Sequence, residues 1–166
     1  MIKEIKVVNR FGAKSILTGL KPVPTSSGIV LASTPVDKWG IISINCSDEP
    51  FLIEEKGVDM KRLEKTGLDM VMSIRFDDIR LCDYEKIKLA HPDIILFNED
   101  HARKIIEFVS LAQRRLDPMT LLIHCTAGIS RSGAVATFIS EYLNISFHDE
   151  MIVPNPYILE ILRKTA

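Results

Sequence analysis

The stretch Met119-Thr120-Leu121-Leu122-Ile123-His124-Cys125-Thr126-Ala127-Gly128-Ile129-Ser130-Arg131-Ser132-Gly133 runs on into Ala134-Val135-Ala136-Thr137-Phe138-Ile139-Ser140-Glu141-Tyr142-Leu143, and its reading decides the fold. Met119 to Ile123 is a short apolar run bounded in front by Asp117-Pro118, the pattern of a fully buried strand. Ala134 to Leu143 is apolar nearly all round, the pattern of a buried helix. The residues between them join a strand end to a helix start. The first N–H groups of a helix lack internal partners and sit at the positive end of its dipole, so such a junction is a ready anion site. A cysteine held there is favoured as thiolate, the nucleophilic form. Arg131 adds a planar fork of donors that matches two oxygens of a phosphoryl group, and Ser132 brings a hydroxyl toward the sulfur.

Two other loop readings fail on single residues. Gly128 to Gly133 has the glycine spacing of a Gly-x4-Gly-Lys-Ser/Thr nucleotide loop, but Ala134 and Val135 occupy the Lys and Ser/Thr places. Gly128-Ile129-Ser130-Arg131-Ser132 lacks the last glycine of the Gly-x-Ser-x-Gly elbow.

His-Cys-x5-Arg-Ser resembles the signature of the cysteine-dependent protein phosphatases, and His124 to Ser132 fill every fixed position of it. Ala127 to Ser132 is most similar to the small dual-specificity-like branch, including its bacterial-type tyrosine phosphatases. The resemblance implies that Cys125 attacks phosphorus to give a cysteinyl phosphate. It implies that Arg131 and the loop Thr126-Ala127-Gly128-Ile129-Ser130 hold the oxygens, that Ser132 helps the thiolate leave, and that His124 fixes the loop through its ring. The chemistry needs no metal and no cofactor.

Ester cleavage by a thiolate also needs a group to protonate the leaving oxygen. The family takes an Asp from a loop after the strand that precedes the long helix, which here begins Arg75-Phe76-Asp77-Asp78. A Phe-x-Asp pattern with the acid in last place selects Asp78, with Asp77 as the alternative and Asp83, Asp93 and Asp100 behind them. The span from Asp78 to Cys125 is longer than is usual in the family. The extra length falls in Ile79 to Phe97, which could wall the pocket with Tyr84, Lys86, Lys88 and His91 or simply pack on the surface.

The rest of the chain reads as scaffold. With 166 residues, 46% hydrophobic content and a net charge of −1, it suits one α/β domain over 1–166: a mostly parallel sheet of four or five strands with helices on both faces. Ile2 to Val8 alternates as an edge strand, and Asn9 caps a short helix to Ile16. Lys21 to Gly28 is a loop by composition, and Gly28 to Ala32 is too short to type. Trp39 to Cys46 is a central strand, with Trp39 in the core. Asp59 to Thr66, closed by Gly67, is a brief helix before the strand Leu68 to Ile74. Asn98 caps a helix with Ala102, Ile105, Ile106, Val109 and Ala112 on one face, and Pro154-Asn155-Pro156 opens a last helix with Tyr157, Ile158, Ile161 and Leu162 inward.

The near-neutral charge gives no basic field for nucleic acid, no run reaches membrane-spanning length, and the start has no export signal. Three cysteines with no Cys-x-x-Cys pair argue against a disulfide framework or a zinc site and favour a reducing cytoplasm. Cys46 and Cys82 read as buried thiols, and either is an oxidation partner for Cys125 if it lies near enough. The expected substrate is a phosphorylated protein or peptide, with phosphotyrosine favoured, or a small phosphomonoester. Phosphoinositides and RNA 5′ ends are the enzymatic alternatives, and a non-catalytic phosphoprotein adaptor is the alternative of another class.

Overall fold

The computed structural model describes residues 1–18, 24–25, 28–29 and 38–166. Most of the Lys21 to Ala32 stretch read above as loop and untyped segment lies outside them. In chain order the elements are β1 (Ile2–Asn9), α1 (Arg10–Thr18), β2 (Pro24–Thr25), β3 (Gly28–Ile29), β4 (Lys38–Asn45), a 3-10 turn (Leu52–Glu54), α2 (Met60–Lys65), β5 (Leu68–Arg75), α3 (Leu81–Ala90), α4 (Glu99–Gln113), β6 (Met119–Cys125), α5 (Arg131–Leu143) and α6 (Pro156–Thr165). Among the described residues, one all-parallel sheet runs β1-β6-β4-β5, and β2 pairs with β3 as a two-stranded antiparallel ribbon.

Successive side chains of a strand point to opposite faces, and the sheet uses that period to bury two cores. On one face Ile5 and Val7 of β1, Ile42 and Ile44 of β4, and Leu121, Ile123 and Cys125 of β6 pack against α4, α5 and α6. On the other, Val8, Ile41 and Leu122 pack against α1, α2 and the 3-10 turn through Ala13, Leu17, Leu52 and Leu63. Helices thus cover both faces, as the sequence predicts, and the parallel sheet has four strands within the described residues. Near-continuous apolar strands such as Leu121-Leu122-Ile123 are what a doubly covered parallel sheet requires.

The caps expected at Asn9 and Asn98 form: the Asn9 side chain accepts from the Gly12 amide and Asn98 from Asp100 and His101, and Asp59 adds a further cap by accepting from Arg62. On α4 the inward face also includes Phe108, which is buried, while Ile106 is only partly so. Trp39 packs against the second core and donates from its indole to the Thr66 carbonyl. The helix the sequence did not type is α3. Ile79 to Phe97 contains a ten-residue helix with no buried side chain, and Leu81 and Leu89 are exposed. It is a surface helix tied into the fold at its two ends.

Because the sheet strands are all parallel, their carboxyl ends share one edge, where open α/β sheets place their sites. Asn9, Asn45, Arg75 and Cys125 end the four strands there.

Candidate active site

Cys125 is the last residue of β6, 2% exposed, and its sulfur lies at the floor of a turn. The Ser132 hydroxyl is 3.1 Å from Sγ, and the Gly128 amide donates to Sγ at 3.3 Å. That turn needs glycine at 128 for two reasons. Its φ is +74°, and a Cβ there would lie 2.7 Å from the Val8 carbonyl carbon and the Asn9 nitrogen. The loop is pressed onto the end of β1, where the Arg10 amide also donates to the Thr126 carbonyl at 3.1 Å.

α5 begins with Ser130 at its N-cap, yet no side chain caps the helix. The Ser130 hydroxyl points elsewhere, so the first amides of α5 face the loop with the dipole behind them. Arg131, one residue into the helix and buried, spans the cradle. Its Nη1 donates to the Phe76 carbonyl at 2.9 Å and its Nη2 to Thr126 Oγ1 at 2.8 Å, while Nε is buried with no partner among the described residues. Burial works against its charge, but the sulfurs of Cys125 and Cys46 and the Asp78 carboxylate hold its pKa above the ordinary arginine value. Ala127 and Ile129 complete the loop between these donors.

The two candidate acids separate clearly. Asp77 is a structural carboxylate: Oδ1 accepts from the Ser47 amide at 3.0 Å and Oδ2 from the Ile95 amide at 2.8 Å, which ties both ends of the extra stretch to the sheet edge. Asp78 is exposed and faces the loop, its Oδ1 accepting from Ser130 Oγ at 2.9 Å and from Asn155 Nδ2 at 2.8 Å. Asp83 is paired with Arg80 and Asp100 with Arg103.

His124 points to the opposite face from Cys125, and its Nε2 meets Ser43 Oγ of β4 at 2.7 Å. The ring therefore ties β6 to β4 beneath the loop. Burial is the main reason its pKa is pushed down to about 4, against a smaller opposing influence of the Cys125 backbone. Its ordinary value is 6.5. As pH falls below that value the unfolded chain takes up a proton that the folded chain refuses until about 4. Stability from this residue is therefore complete above the ordinary value and is lost progressively through that window, by up to about 3 kcal/mol. Urea unfolding at neutral and mildly acid pH is expected to show this loss and to show it diminished in His124→Gln; an unchanged pH slope in the variant would contradict it.

Sequence reasoning missed a second layer around Thr126. Its hydroxyl donates to Glu49 at 3.1 and 3.2 Å, and Glu49 also accepts from the Cys46 amide and pairs with Arg10. Burial, the largest influence on Glu49, raises its pKa, but the Cys46 amide, Thr126 and the charges of Arg10 and Arg131 together hold it below the usual carboxylate range. Arg10 is fixed in turn by Asn45 at 2.8 Å, the Pro50 carbonyl and Glu55. Both residues directly follow parallel strands, β1 for Arg10 and β4 for the turn that holds Glu49, and that position is the signal that could have flagged them.

The cysteine reading needs correction. Cys46 is only partly buried and lies 3.4 Å from Thr126 Oγ1, inside the site, because it follows β4 at the same sheet edge; Cys82 is exposed because α3 has no buried face.

A parallel α/β sheet whose central strand ends in a His-Cys-x5-Arg-Ser loop and a covering helix resembles the cysteine-dependent phosphatases in both motif and architecture. No protein-family model matches the chain, and no curated protein does. Among solved structures, PTPMT1 is similar at 14% identity and a TM-score of 0.45, over 98% of this chain and 89% of that one. The human tyrosine phosphatase-like serine/threonine/tyrosine-interacting protein is similar at 17% identity and a TM-score of 0.37, over 76% of this chain and 75% of that one.

Proposed function

We propose that the chain is a phosphomonoester hydrolase that works through a cysteinyl phosphate, with phosphotyrosine in a protein or peptide as the leading substrate class. The observation that carries this reading is the cradle around Cys125: a thiol at the floor of a loop, the uncapped amides of α5 and the Arg131 guanidinium, with an exposed carboxylate on the rim. An anion of three oxygens suits such a cradle, since the amides and the guanidinium offer donors arranged around one point.

In the first half-reaction the Cys125 sulfur bonds to phosphorus and the ester P–O bond breaks, its electron pair going to the leaving oxygen, which takes a proton from Asp78. In the second, water attacks the cysteinyl phosphate, its proton passes to the Asp78 carboxylate, and the S–P bond breaks to restore the thiolate. The Ser132 hydroxyl, 3.1 Å from Sγ, donates to the departing sulfur. Arg131 and the loop amides of Thr126 to Ser130 follow the oxygens through both steps, while Glu49 and Arg10 hold Thr126 and so keep Nη2 of Arg131 aimed. No step requires a metal or a cofactor. Free cysteines at the site suit a reducing compartment such as the cytoplasm.

Phosphotyrosine leads on the loop's resemblance to the tyrosine and dual-specificity branch. Turnover by the purified chain of phosphotyrosine, phosphoserine and phosphothreonine peptides, phosphoinositides and a 5′-phosphorylated RNA tests it. The expected ranking puts phosphotyrosine peptides first in kcat/KM. A phosphoinositide or the RNA leading by tenfold or more, on the order of 1.4 kcal/mol in transition-state binding, would overturn the substrate class. Binding without turnover of any of them would make the chain an adaptor, a role for which the pairing of Cys125 with Ser132 serves no purpose.

A further inference from the structure

Resting on the phosphatase reading, we propose that Asn155 is the positioning residue for Asp78, and that with Ser130 it selects which carboxylate oxygen carries the catalytic proton. Asn155 is 5% exposed and works in three directions. Its Oδ1 caps α6 by accepting from the Tyr157 and Ile158 amides at 3.0 and 3.3 Å. Its backbone N–H donates to the Ser130 carbonyl at 3.3 Å, at the start of α5. Its Nδ2 donates to Asp78 Oδ1 at 2.8 Å and reaches the Ile79 carbonyl at 3.5 Å.

A cap alone does not require this residue. Ser, Thr and Asp all cap helices well, but only an amide carries its acceptor and its donor on separate atoms, so that Oδ1 accepts from two N–H groups of α6 while Nδ2 donates to a carboxylate on the other side. The donors also fall on one oxygen. Ser130 Oγ and Asn155 Nδ2 both fill Oδ1, and no hydrogen bond among the described residues reaches Oδ2. An oxygen that accepts two donors is the carbonyl-like oxygen of a protonated carboxyl group, which leaves Oδ2 to carry the hydrogen. The tether thus fixes an exposed side chain against the anion loop and turns one defined oxygen toward the leaving group. In the first half-reaction the proton leaves Oδ2 for the ester oxygen as P–O breaks; in the second, Oδ2 takes a proton from the attacking water. Geometry of this kind matters because a displacement of about 1 Å can cost roughly a hundredfold in rate.

The test compares the whole chain, Asn155→Ser, Asp78→Asn and the double variant on phenyl phosphate and p-nitrophenyl phosphate. Asn155→Ser keeps a capping oxygen and removes Nδ2, the atom that reaches Asp78. Its kcat on phenyl phosphate is expected to fall about tenfold or more, with a much smaller fall on p-nitrophenyl phosphate, whose leaving group departs without a proton. KM should stay within about twofold, and in the Asp78→Asn background the substitution should add less than about twofold, because its effect runs through Asp78. Asn155→Asp, which keeps the cap and loses the donor, and Ser130→Ala, which removes the other donor without touching α6, should show the same dependence on leaving group. Equal losses on both substrates, or losses that multiply in the double variant, would overturn the inference while leaving the phosphatase reading intact. Absence of wild-type turnover on either aryl phosphate would overturn both.

Discussion

Cys125→Ser is expected to lower the turnover of every phosphomonoester substrate by at least about a thousandfold, because in the proposed mechanism the sulfur is the atom that bonds to phosphorus and a serine hydroxyl in its place has no base beside it. The Ser132 hydroxyl lies 3.1 Å from Sγ, and a neutral hydroxyl is too weak a base to activate a second hydroxyl. His124 cannot serve, since its ring lies on the other face of the sheet against Ser43 and burial keeps it neutral. Oxyanion binding should survive the substitution within several-fold. The α5 amides, Arg131 and the Gly128 turn are untouched. The paired measurements are kcat on p-nitrophenyl phosphate and the rise in Tm with added tungstate or phosphate. Turnover retained at more than a few per cent would remove Cys125 from the mechanism.

Asp78→Asn is expected to lower kcat on phenyl phosphate by about a hundredfold or more, and by much less on p-nitrophenyl phosphate. The asparagine preserves shape and can still accept from Ser130 and Asn155 through Oδ1, so the loss isolates the proton. Asp77→Asn is the matched control with a different expected signature. Both of its carboxylate oxygens accept backbone amides, and an amide side chain would set an N–H against one of them. A buried or half-buried donor left facing a donor costs about 1–3 kcal/mol, so the control should lose stability with no dependence on leaving group. If the leaving-group dependence follows Asp77→Asn, the acid has been placed one residue too late in the chain. If it follows neither, Asp93 is the first position to test, since Asp83 and Asp100 are engaged with Arg80 and Arg103.

What was legible in the sequence was what local pattern controls. The strand–loop–helix around Cys125 shows in an apolar run stopped by Pro118 and followed by small and apolar residues; α4 shows in its Asn98 cap and spaced apolar face; α6 shows in Asn155-Pro156. Strand β1 was readable as an edge because its charged and apolar residues alternate, and among the described residues it pairs on one side only, with β6. α3 was not readable as a helix, since a helix with no buried side chain leaves no apolar period to detect. The wiring of the site was hidden for a different reason. Arg10 meets Glu49 across 39 positions, Thr126 meets Glu49 across 77, and Asn155 meets Asp78 across 77. No local spacing encodes such pairs; only the parallel sheet, by gathering its strand ends on one edge, brings them together.

The central claim is covalent, and the most direct test is to trap the intermediate. Wild-type protein mixed with a rapidly cleaved aryl phosphate and quenched in acid within the first turnover should carry one phosphoryl group, located by peptide mass spectrometry on the segment that contains Cys125. Asp78→Asn is expected to accumulate more of it than wild type on p-nitrophenyl phosphate, because the second step has lost its base while the first no longer needs an acid. Phosphoryl transfer found on another residue, or a burst of phenol release with no phosphoryl group on Cys125 in either protein, would contradict the mechanism.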